Sequence, residues 1–373
     1  MSSSEPASGA VTRSTVLVVD DDTRERAQLC AIVSAAGAFD VVAQASSGYE
    51  AIRAIHEHNP DIVALDLERD GDRSLDLLGY IMVESPRPVI VLSEQALPLP
   101  HPVLNAIDFS AIEFVVKPAS RGAADSEILQ RRLLAALDAA ANARIGGLRI
   151  DRAKRAAARA SRAARRAGRT GTDASGPPAQ SAVAIAASTG GPRALLEVVP
   201  QLPEDLPAAV LIVQHMPAGF TRLLAERLDR VSRLSVREAT AGEVLKAGVV
   251  YLAPGGVHMA LQRTAGGISV TREETEPVWG LRPAADVLFG AVARHFGPRS
   301  MGVVLTGMGR DGANGLRAIR EVGGWTAVQD AASAVVSSMP RAAAPHAVLQ
   351  LPLENLARAI ATQAAQLSRT RTG

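Results

Sequence analysis

The sequence has little of several features that mark whole classes of protein. It contains one cysteine, Cys30, which excludes an internal disulfide framework and a zinc site built from several thiolates. Aromatic residues are 3% of the 373 residues, so aliphatic side chains must dominate any core. No apolar run approaches the ~18 residues that a membrane span needs, and the polar start lacks the apolar stretch of a signal peptide. We therefore expect a cytoplasmic protein with no direct insertion into a membrane.

A large net charge is also missing, because 40 Lys and Arg nearly balance 38 Asp and Glu. The balance is uneven, since residues 151–170 hold seven Arg, one Lys, eight Ala and one Asp. The small net charge argues against a globally basic nucleic-acid-binding protein, and without this segment the rest of the chain is acidic. The segment has high helix propensity and no apolar stripe, so we interpret 138–180 as an Ala/Arg-rich linker, part charged helix and part coil.

Short aliphatic runs alternate with helix-like stretches on both sides of this linker. The runs lie at 15–19, 40–45, 61–67, 88–92 and 113–116, and at 183–187, 209–214, 249–252, 302–306 and 325–328. Continuous apolar strands separated by helices indicate parallel sheets that are covered on both faces. A Gly-Gly turn at 263–267 adds a hairpin. The chain is therefore predicted to be α/β, with two doubly wound parallel-sheet domains at 14–137 and 181–368, after a disordered start at 1–13.

Charged and polar residues stand at four strand ends of the first domain. Asp20 and Asp21 follow the first strand, Asp66 ends the third, Ser93 the fourth and Lys117 the fifth. Ligands bind at the carboxyl ends of parallel strands, and three crowded carboxylates there repel each other unless a cation neutralises them. Oxygen ligands favour Mg²⁺, and a carboxylate beside Mg²⁺ is suited to accept a phosphoryl group that Lys117 and Ser93 would hold. The alternative is that the acidic run only caps a helix and that Lys117 is a surface charge.

The first domain resembles the receiver domain of response regulators. The matching pieces are Val-Leu-Val-Val-Asp-Asp at 16–21, Asp-Ile-Val-Ala-Leu before Asp66, Ser93, and Val-Val-Lys-Pro at 115–118. The resemblance implies that Asp66 is the phosphorylated residue and that Asp20 and Asp21 are the acidic pair that holds Mg²⁺. The loop at 69–74, Arg-Asp-Gly-Asp-Arg-Ser, departs from the family's usual continuation after the phosphorylated residue.

Three strands of the second domain each end beside a residue suited to acyl transfer. Ser188 begins a Ser-Thr-Gly-Gly-Pro turn, His215 follows a buried strand, and Asp311 lies in a Gly-rich loop. A serine hydroxyl is a poor nucleophile until an imidazole accepts its proton, and the imidazole needs a carboxylate to fix its tautomer. The glycines allow a tight turn whose N–H groups can stabilise an oxyanion. We predict that these side chains meet at one sheet edge as nucleophile, base and orienting acid.

Each of these three residues has another interpretation when it is taken alone. A Ser-Thr-Gly-Gly turn also serves as an anion cradle or dinucleotide turn, although a full Gly-x-Gly-x-x-Gly is absent. A lone His at a strand end is usually structural, and an Asp in a Gly-rich loop is usually a turn former. Two other functions are also open: a transcriptional regulator that uses 151–170 on DNA, and a signalling adaptor without catalysis. The α/β pattern of the second domain does not match a helix-turn-helix.

The second domain resembles the catalytic domain of chemotaxis protein-glutamate methylesterases. The matching pieces are Ala-Ser-Thr-Gly-Gly-Pro at 187–192, Gln-His-Met-Pro-Ala-Gly-Phe-Thr at 214–221, Tyr-Leu-Ala-Pro-Gly-Gly-Val-His-Met at 251–259, and Leu-Thr-Gly-Met-Gly-Arg-Asp-Gly-Ala-Asn-Gly at 305–315. The resemblance implies that Ser188 is the nucleophile, His215 the base and Asp311 the orienting carboxylate. It places Thr189 and Met308 near the oxyanion, and we assign no catalytic role to His258 in the third motif.

Together the two resemblances cover nearly the whole chain and imply a flavodoxin-like receiver joined to a larger, Rossmann-like methylesterase domain. Such a protein hydrolyses glutamate methyl esters, and deamidates glutamines, on the cytoplasmic domains of methylated chemoreceptors. Its phosphodonor is a chemotaxis histidine kinase, and phosphorylation releases inhibition by the receiver. Mg²⁺ is expected in the receiver and no cofactor in the catalytic domain. At 282–286 the sequence Arg-Pro-Ala-Ala-Asp departs from the family, which more often has Ser after Pro.

Overall fold

In the computed structural model, two parallel sheets with helices on both faces account for most of the chain. The structure describes residues 13–66, 77–78, 81, 85, 87–94, 113–118, 123–141, 176–216, 218 and 220–369. The start that is predicted to be disordered (apart from Arg13), the loop at 69–74 and the Arg-rich segment at 151–170 lie outside the described residues. The predicted domain boundaries therefore stay predictions.

The first sheet contains five parallel strands in the order β2-β1-β3-β4-β5. Its elements are β1 Ser14–Val19, α1 Thr23–Ala35, β2 Phe39–Ala45, α2 Gly48–His58, β3 Ile62–Asp66, β4 Val89–Glu94, β5 Glu113–Lys117 and α3 Ala123–Ala141. The central strands are buried on both faces, as the continuous aliphatic runs predict. All five predicted strands are confirmed, with ends that differ by two residues at most.

The three aspartates that follow β1, Asp20 to Asp22, have different roles. The side chain of Asp22 is the N-cap of α1, since it accepts hydrogen bonds from the backbone N–H groups of Arg24 at 2.8 Å and Glu25 at 3.0 Å. The capping interpretation is therefore right for Asp22. It leaves the carboxylates of Asp20 and Asp21 for the carboxyl edge of the sheet.

The second sheet contains seven parallel strands in the order β14-β13-β12-β6-β7-β9-β8. Its strands are β6 Ala182–Ala187, β7 Ala209–Gln214, β8 Ser235–Glu238, β9 Val249–Leu252, β12 Ser300–Val304, β13 Trp325–Gln329 and β14 Leu349–Leu351. The predicted hairpin is confirmed as an antiparallel pair, β10 His258–Thr264 and β11 Gly267–Glu273. The helices of this domain are α4 Gly191–Val198, α5 Phe220–Val231, α6 Ala285–Phe296, α7 Ala313–Glu321, α8 Ser338–Ala343 and α9 Leu353–Arg369.

The sequence analysis missed the two edge strands of this sheet, β8 and β14. They are four and three residues long, and neither contains a run of apolar residues. Short, partly polar strands are common at sheet edges, where only one side pairs with a neighbour. Their position leaves β6, β7 and β12 in the middle of the sheet, where every residue of these three strands is buried. Among the described residues, no helix combines the length and apolar character that crossing a membrane requires.

The close packing of α7 on β12 generates a stability prediction. A Cβ on Gly302 of β12 would lie 2.7 Å from Leu316 Cδ1 and 2.9 Å from Ile319 Cδ1, inside van der Waals contact. We expect G302A to lower the free energy of unfolding by about 1–3 kcal/mol, because the buried side chains of Leu316 and Ile319 must repack to make room for the added methyl group.

The matched control is G290A, within α6, where the nearest heavy atom to the added Cβ is the Arg294 guanidinium at 3.5 Å. Alanine is the better helix former, so G290A should raise the stability by about 0.5–1 kcal/mol. Chemical denaturation of the two variants checks both signs. A G302A protein as stable as the wild type would contradict the packing described here.

Candidate functional site

The carboxyl edge of the first sheet gathers the predicted receiver residues around one lysine. The ammonium of Lys117 lies 2.7 Å from Asp66 Oδ1, 2.8 Å from Glu25 Oε2 and 3.3 Å from Asp20 Oδ2. Asp20, Asp66 and Lys117 are all buried. The sequence analysis missed Glu25, although its place in the first turn of α1, directly after the acidic run, is a signal that it faces the same edge.

Burial and charge act against each other in this pocket. Burial raises the pKa of Asp20 to about 6, the Lys117 ammonium opposes the rise, and the carboxylate of Asp66 adds to it. Burial would lower the pKa of Lys117, but the surrounding carboxylates, Asp66 foremost, outweigh it and raise that pKa above its ordinary value. The pocket thus holds more negative charge than its lysine neutralises.

Three of the carboxylates meet the geometric requirement for a cation site. Ligand oxygens of Asp20, Asp21 and Asp66 all lie within 4.8 Å of one another, with Asp21 exposed to solvent. An oxygen-only set that is open on one side is typical of a Mg²⁺ site, since Mg²⁺ retains several waters. Ser93 is buried at the same edge, where β4 runs beside β3 and pairs Leu92 with Asp66.

In the second domain, β6 and its turn present Ser188 at the carboxyl edge of the sheet. The turn is tight because Gly190 takes a left-handed conformation with φ 74°, and the N–H of Gly191 donates to the carbonyl of Ser188 at 2.7 Å. The Ser188 N–H donates to the carbonyl of Thr306, beyond the end of β12, at 3.1 Å. Ser188 is thus held between the neighbouring strands β7 and β12, and it is half-buried.

His215 stands beside Ser188 because β6 and β7 are in register up to the pair Ala187 and Gln214. Each strand therefore delivers its next residue to the same level of the sheet edge. The Nε2 of His215 lies 2.8 Å from the Oδ2 of Asp311, which is fully buried. Two of the three predicted catalytic side chains are thus in direct contact, and the third lies at the end of the adjacent strand.

The N-terminus of α6 holds the carboxylate of Asp311 in place. Its Oδ2 also accepts a hydrogen bond from the N–H of Ala285 at 2.6 Å, and its Oδ1 accepts from the N–H groups of Asp286 and Gly312, both at 2.9 Å. Burial alone would raise the pKa of Asp311, but the hydrogen bond and charge of His215 and the helix N–H groups lower it below the ordinary 3.8. Asp311 is therefore a carboxylate at neutral pH.

The sequence analysis missed the residues that fix this helix end. His258, fully buried, accepts a hydrogen bond from the N–H of Ala284 through Nδ1 at 3.1 Å, and its Nε2 lies 3.2 Å from the carbonyl of Glu276. These contacts give His258 a structural role, in line with the absence of a catalytic assignment. They also place the unusual segment 282–286 directly behind Asp311, so Ala284 forms part of the support of the acid.

Asp286 ties this helix end to the loop that carries Asp311. Its Oδ1 accepts from the N–H groups of Gly312 and Gly315 at 3.0 and 2.7 Å, and its Oδ2 accepts from the indole of Trp279 at 2.9 Å. The guanidinium of Arg310 stacks 4.6 Å from the centre of the Trp279 ring. One side of the site is therefore built from two segments that are far apart in the sequence, 279–286 and 310–315.

The two predicted oxyanion neighbours lie in different surroundings. Met308 is exposed, two residues after Thr306. Thr189 is buried, and its hydroxyl donates a hydrogen bond of 2.6 Å to the Oε2 of Glu113, the first residue of β5 in the other domain. Glu113 of the receiver thus contacts Thr189, the residue after Ser188, and sequence patterns do not predict this contact.

Comparison with known proteins agrees with this geometry over both domains. Residues 183–360 match the CheB methylesterase family, and residues 16–128 match the response regulator receiver domain family. The chain is 38% identical over 351 residues to the protein-glutamate methylesterase/protein-glutamine glutaminase of Pyrococcus horikoshii, with 91% of each chain covered. It is also 38% identical over 361 residues to protein-glutamate methylesterase/protein-glutamine glutaminase 2 of Pseudomonas aeruginosa, which covers 94% of this chain and 97% of the relative.

A similar solved structure is the Thermotoga maritima CheB methylesterase catalytic domain, 37% identical, with a TM-score of 0.48 over 49% of this chain and 97% of that one. The family assignment rests on the full-length relatives, since they span the receiver, the linker region and the catalytic domain alike. The chain therefore belongs to the CheB-type protein-glutamate methylesterase/protein-glutamine glutaminase family, whose members are response regulators with an N-terminal receiver and a C-terminal methylesterase domain.

Proposed function

We propose that Ser188, His215 and Asp311 hydrolyse glutamate methyl esters on the cytoplasmic domains of methylated chemoreceptors. The observation that carries this proposal is the contact of 2.8 Å between His215 and the buried Asp311, at the end of the strand next to the one that presents Ser188. The same machinery would deamidate receptor glutamines, since an amide differs from the ester only in its leaving group.

The hydrogen bond to Asp311 determines which nitrogen of His215 acts as the base. Because an ionised carboxylate only accepts, the Nε2 of His215 carries the proton and donates it. The Nδ1 of His215 then has the lone pair, and it is buried without a hydrogen-bond partner among the described residues. Nδ1 is thus the nitrogen that takes the proton of the Ser188 hydroxyl.

The reaction then follows the steps of acyl transfer. Ser188 Oγ attacks the ester carbonyl, its proton moves to Nδ1 of His215, and a tetrahedral oxyanion forms beside Thr189 and Met308. Its collapse breaks the bond to the methoxy oxygen, which leaves as methanol with the proton from Nδ1. Water attacks the acyl-enzyme with His215 again as base, and the glutamate carboxylate and free Ser188 are released. With a glutamine substrate, ammonia leaves in place of methanol.

The receiver pocket supplies the control of this reaction. Asp20, Asp21 and Asp66 would hold Mg²⁺, which when bound neutralises the oxygens of an incoming phosphoryl group. Asp66 accepts the phosphoryl group from a chemotaxis histidine kinase, and Lys117, now 2.7 Å from Asp66, pairs with the phosphate oxygens, with Ser93 as a further donor. The pairing of Lys117 therefore changes when Asp66 is phosphorylated.

The first prediction concerns the nucleophile. S188A should lower kcat for methanol release from a methylated receptor by at least ~10⁴-fold, because alanine has no hydroxyl to attack the ester carbonyl. S368A, on the exposed surface of α9, is the matched control and should keep the wild-type rate. Wild-type turnover in S188A would refute the assignment of Ser188.

The second prediction concerns the tautomer of His215. In D311N an amide N–H would face Nε2, so the ring would carry its proton on Nδ1 and could not accept the proton of Ser188. We expect kcat to fall on the order of 10⁴-fold with little change in KM. Steady-state kinetics test this, and circular dichroism checks that the variant is folded. A D311N protein within tenfold of the wild-type kcat would show that Asp311 does not orient the base.

The third prediction concerns the phosphorylation site. The wild-type protein should take up label from a small phosphodonor with Mg²⁺, and a chelator should abolish the uptake because the carboxylates alone repel the donor. D66N should remain unlabelled, whereas D40N, an exposed carboxylate on β2, serves as the control and should label normally. Equal labelling of D66N would exclude Asp66 as the acceptor.

A further inference from the structure

Strand β5 of the receiver connects the phosphorylation pocket with the catalytic site. Its last residue, Lys117, contacts Asp66, and its first residue, Glu113, contacts Thr189 of the catalytic domain. The two contacts are four residues apart on one strand, or ~13 Å at 3.3 Å per residue. A side chain from the regulatory domain thus contacts Thr189, the residue that follows the proposed nucleophile in the sequence.

The packing around Glu113 holds it in that position. The ring of Phe114, the next residue, packs against Phe220 of α5 with ring centroids 6.0 Å apart and an angle of 52° between the planes. Apolar residues of both domains, including Phe114 and Phe220, belong to one continuous buried cluster. The contact of Glu113 with Thr189 is therefore part of a formed interface.

The carboxylate of Glu113 is half-buried and accepts hydrogen bonds from two donors. Oε2 accepts from the Thr189 hydroxyl at 2.6 Å, and Oε1 accepts from the backbone N–H of Phe114 at 3.2 Å. Burial raises the pKa of Glu113, while the hydrogen bonds from Thr189 and Phe114 and the charge of His215 act to lower it. The side chain therefore lies within electrostatic reach of the proposed base.

Glu113 has the same side chain as the product of the reaction. Ester hydrolysis and deamidation both end in a glutamyl carboxylate, and this group must leave from beside Ser188. We propose that the Thr189 hydroxyl donates a hydrogen bond to a side-chain oxygen of the substrate's glutamyl group, an inference that rests on the proposed function. The Glu113 side chain of the same protein then occupies this glutamyl subsite as an analogue of the product. The carboxylate of Glu113 and the substrate then compete for one donor.

Competition of this kind has a kinetic signature that a merely structural contact lacks. A tethered group that fills the substrate's subsite lowers the fraction of competent enzyme, so it raises the apparent KM. It leaves kcat unchanged, since saturating substrate displaces it. Loss of a contact that only holds the domains together changes stability, and it has no reason to act on KM alone.

The experiment compares unphosphorylated full-length variants in methanol release from methylated receptor. E113A should lower KM about tenfold, the scale of a hydrogen bond to a charged group, with kcat within twofold of the wild type. E113D should behave in the same way, because its carboxylate is one methylene too short to reach Thr189. E57A removes an exposed glutamate of α2 and is the matched control, with wild-type KM.

Two further measurements test the subsite assignment without relying on the KM of E113A alone. N-acetyl-L-glutamate, a small product analogue, should inhibit E113A and E113D about tenfold more strongly than the wild type, because the subsite is vacant. In a T189V background, E113A should lower KM no further, since the donor for which both groups compete is gone.

The outcomes separate this inference from the proposed function. Wild-type turnover that S188A abolishes establishes the catalytic assignment by itself. With that turnover present, an E113A or E113D protein that keeps the wild-type KM, or one that changes kcat in place of KM, overturns the subsite assignment alone. An equal effect of E113A in the T189V background also overturns it, because Glu113 would then act through another group.

Discussion

The burial of the Asp311 carboxylate is the constraint around which the catalytic end of this protein is built. An ionised carboxylate with no solvent exposure is strongly unfavourable unless every oxygen is satisfied. Here four donors form hydrogen bonds with the carboxylate: His215 and three backbone N–H groups, two of them from the start of α6. The arrangement leaves His215 only one way to carry its proton. A requirement of folding thus fixes the chemistry of the base.

The receiver pocket has the opposite balance of carboxylates and donors. At Asp311 one carboxylate has an excess of donors, whereas Lys117 serves three carboxylates that lie within 3.3 Å of its ammonium. Burial, with the carboxylate of Asp66 adding to it, raises the pKa of Asp20, and a divalent cation would offset the surplus negative charge of the pocket. The charge of Asp311 is thus fully balanced by its donors, whereas the receiver pocket keeps an excess of negative charge that binding of a cation can change.

The sequence predicted the buried strands and the residues at their ends, but not the short edge strands β8 and β14, because buried parallel strands are visible as apolar runs and their carboxyl ends share an edge. It did not predict Glu25, His258 or the start of α6 as supports, since each acts through contacts between distant segments. The contact of Glu113 with Thr189 was also out of reach, because it depends on how the domains pack.

The place of β5 in its sheet explains why this strand is suited to transmit a signal. It is the edge strand of the receiver, and within the described residues it forms a ladder with β4 alone. A shift of an edge strand disturbs one ladder, whereas a shift of a central strand disturbs two. If a change in the pairing of Lys117 shifts this strand, only the ladder with β4 has to adjust while Glu113 moves at the other end. Across the domain interface, the hydroxyl of Thr189 is the donor that the side chain of Glu113 contacts, so on the proposal above a displacement that breaks this one hydrogen bond frees Thr189 for the substrate.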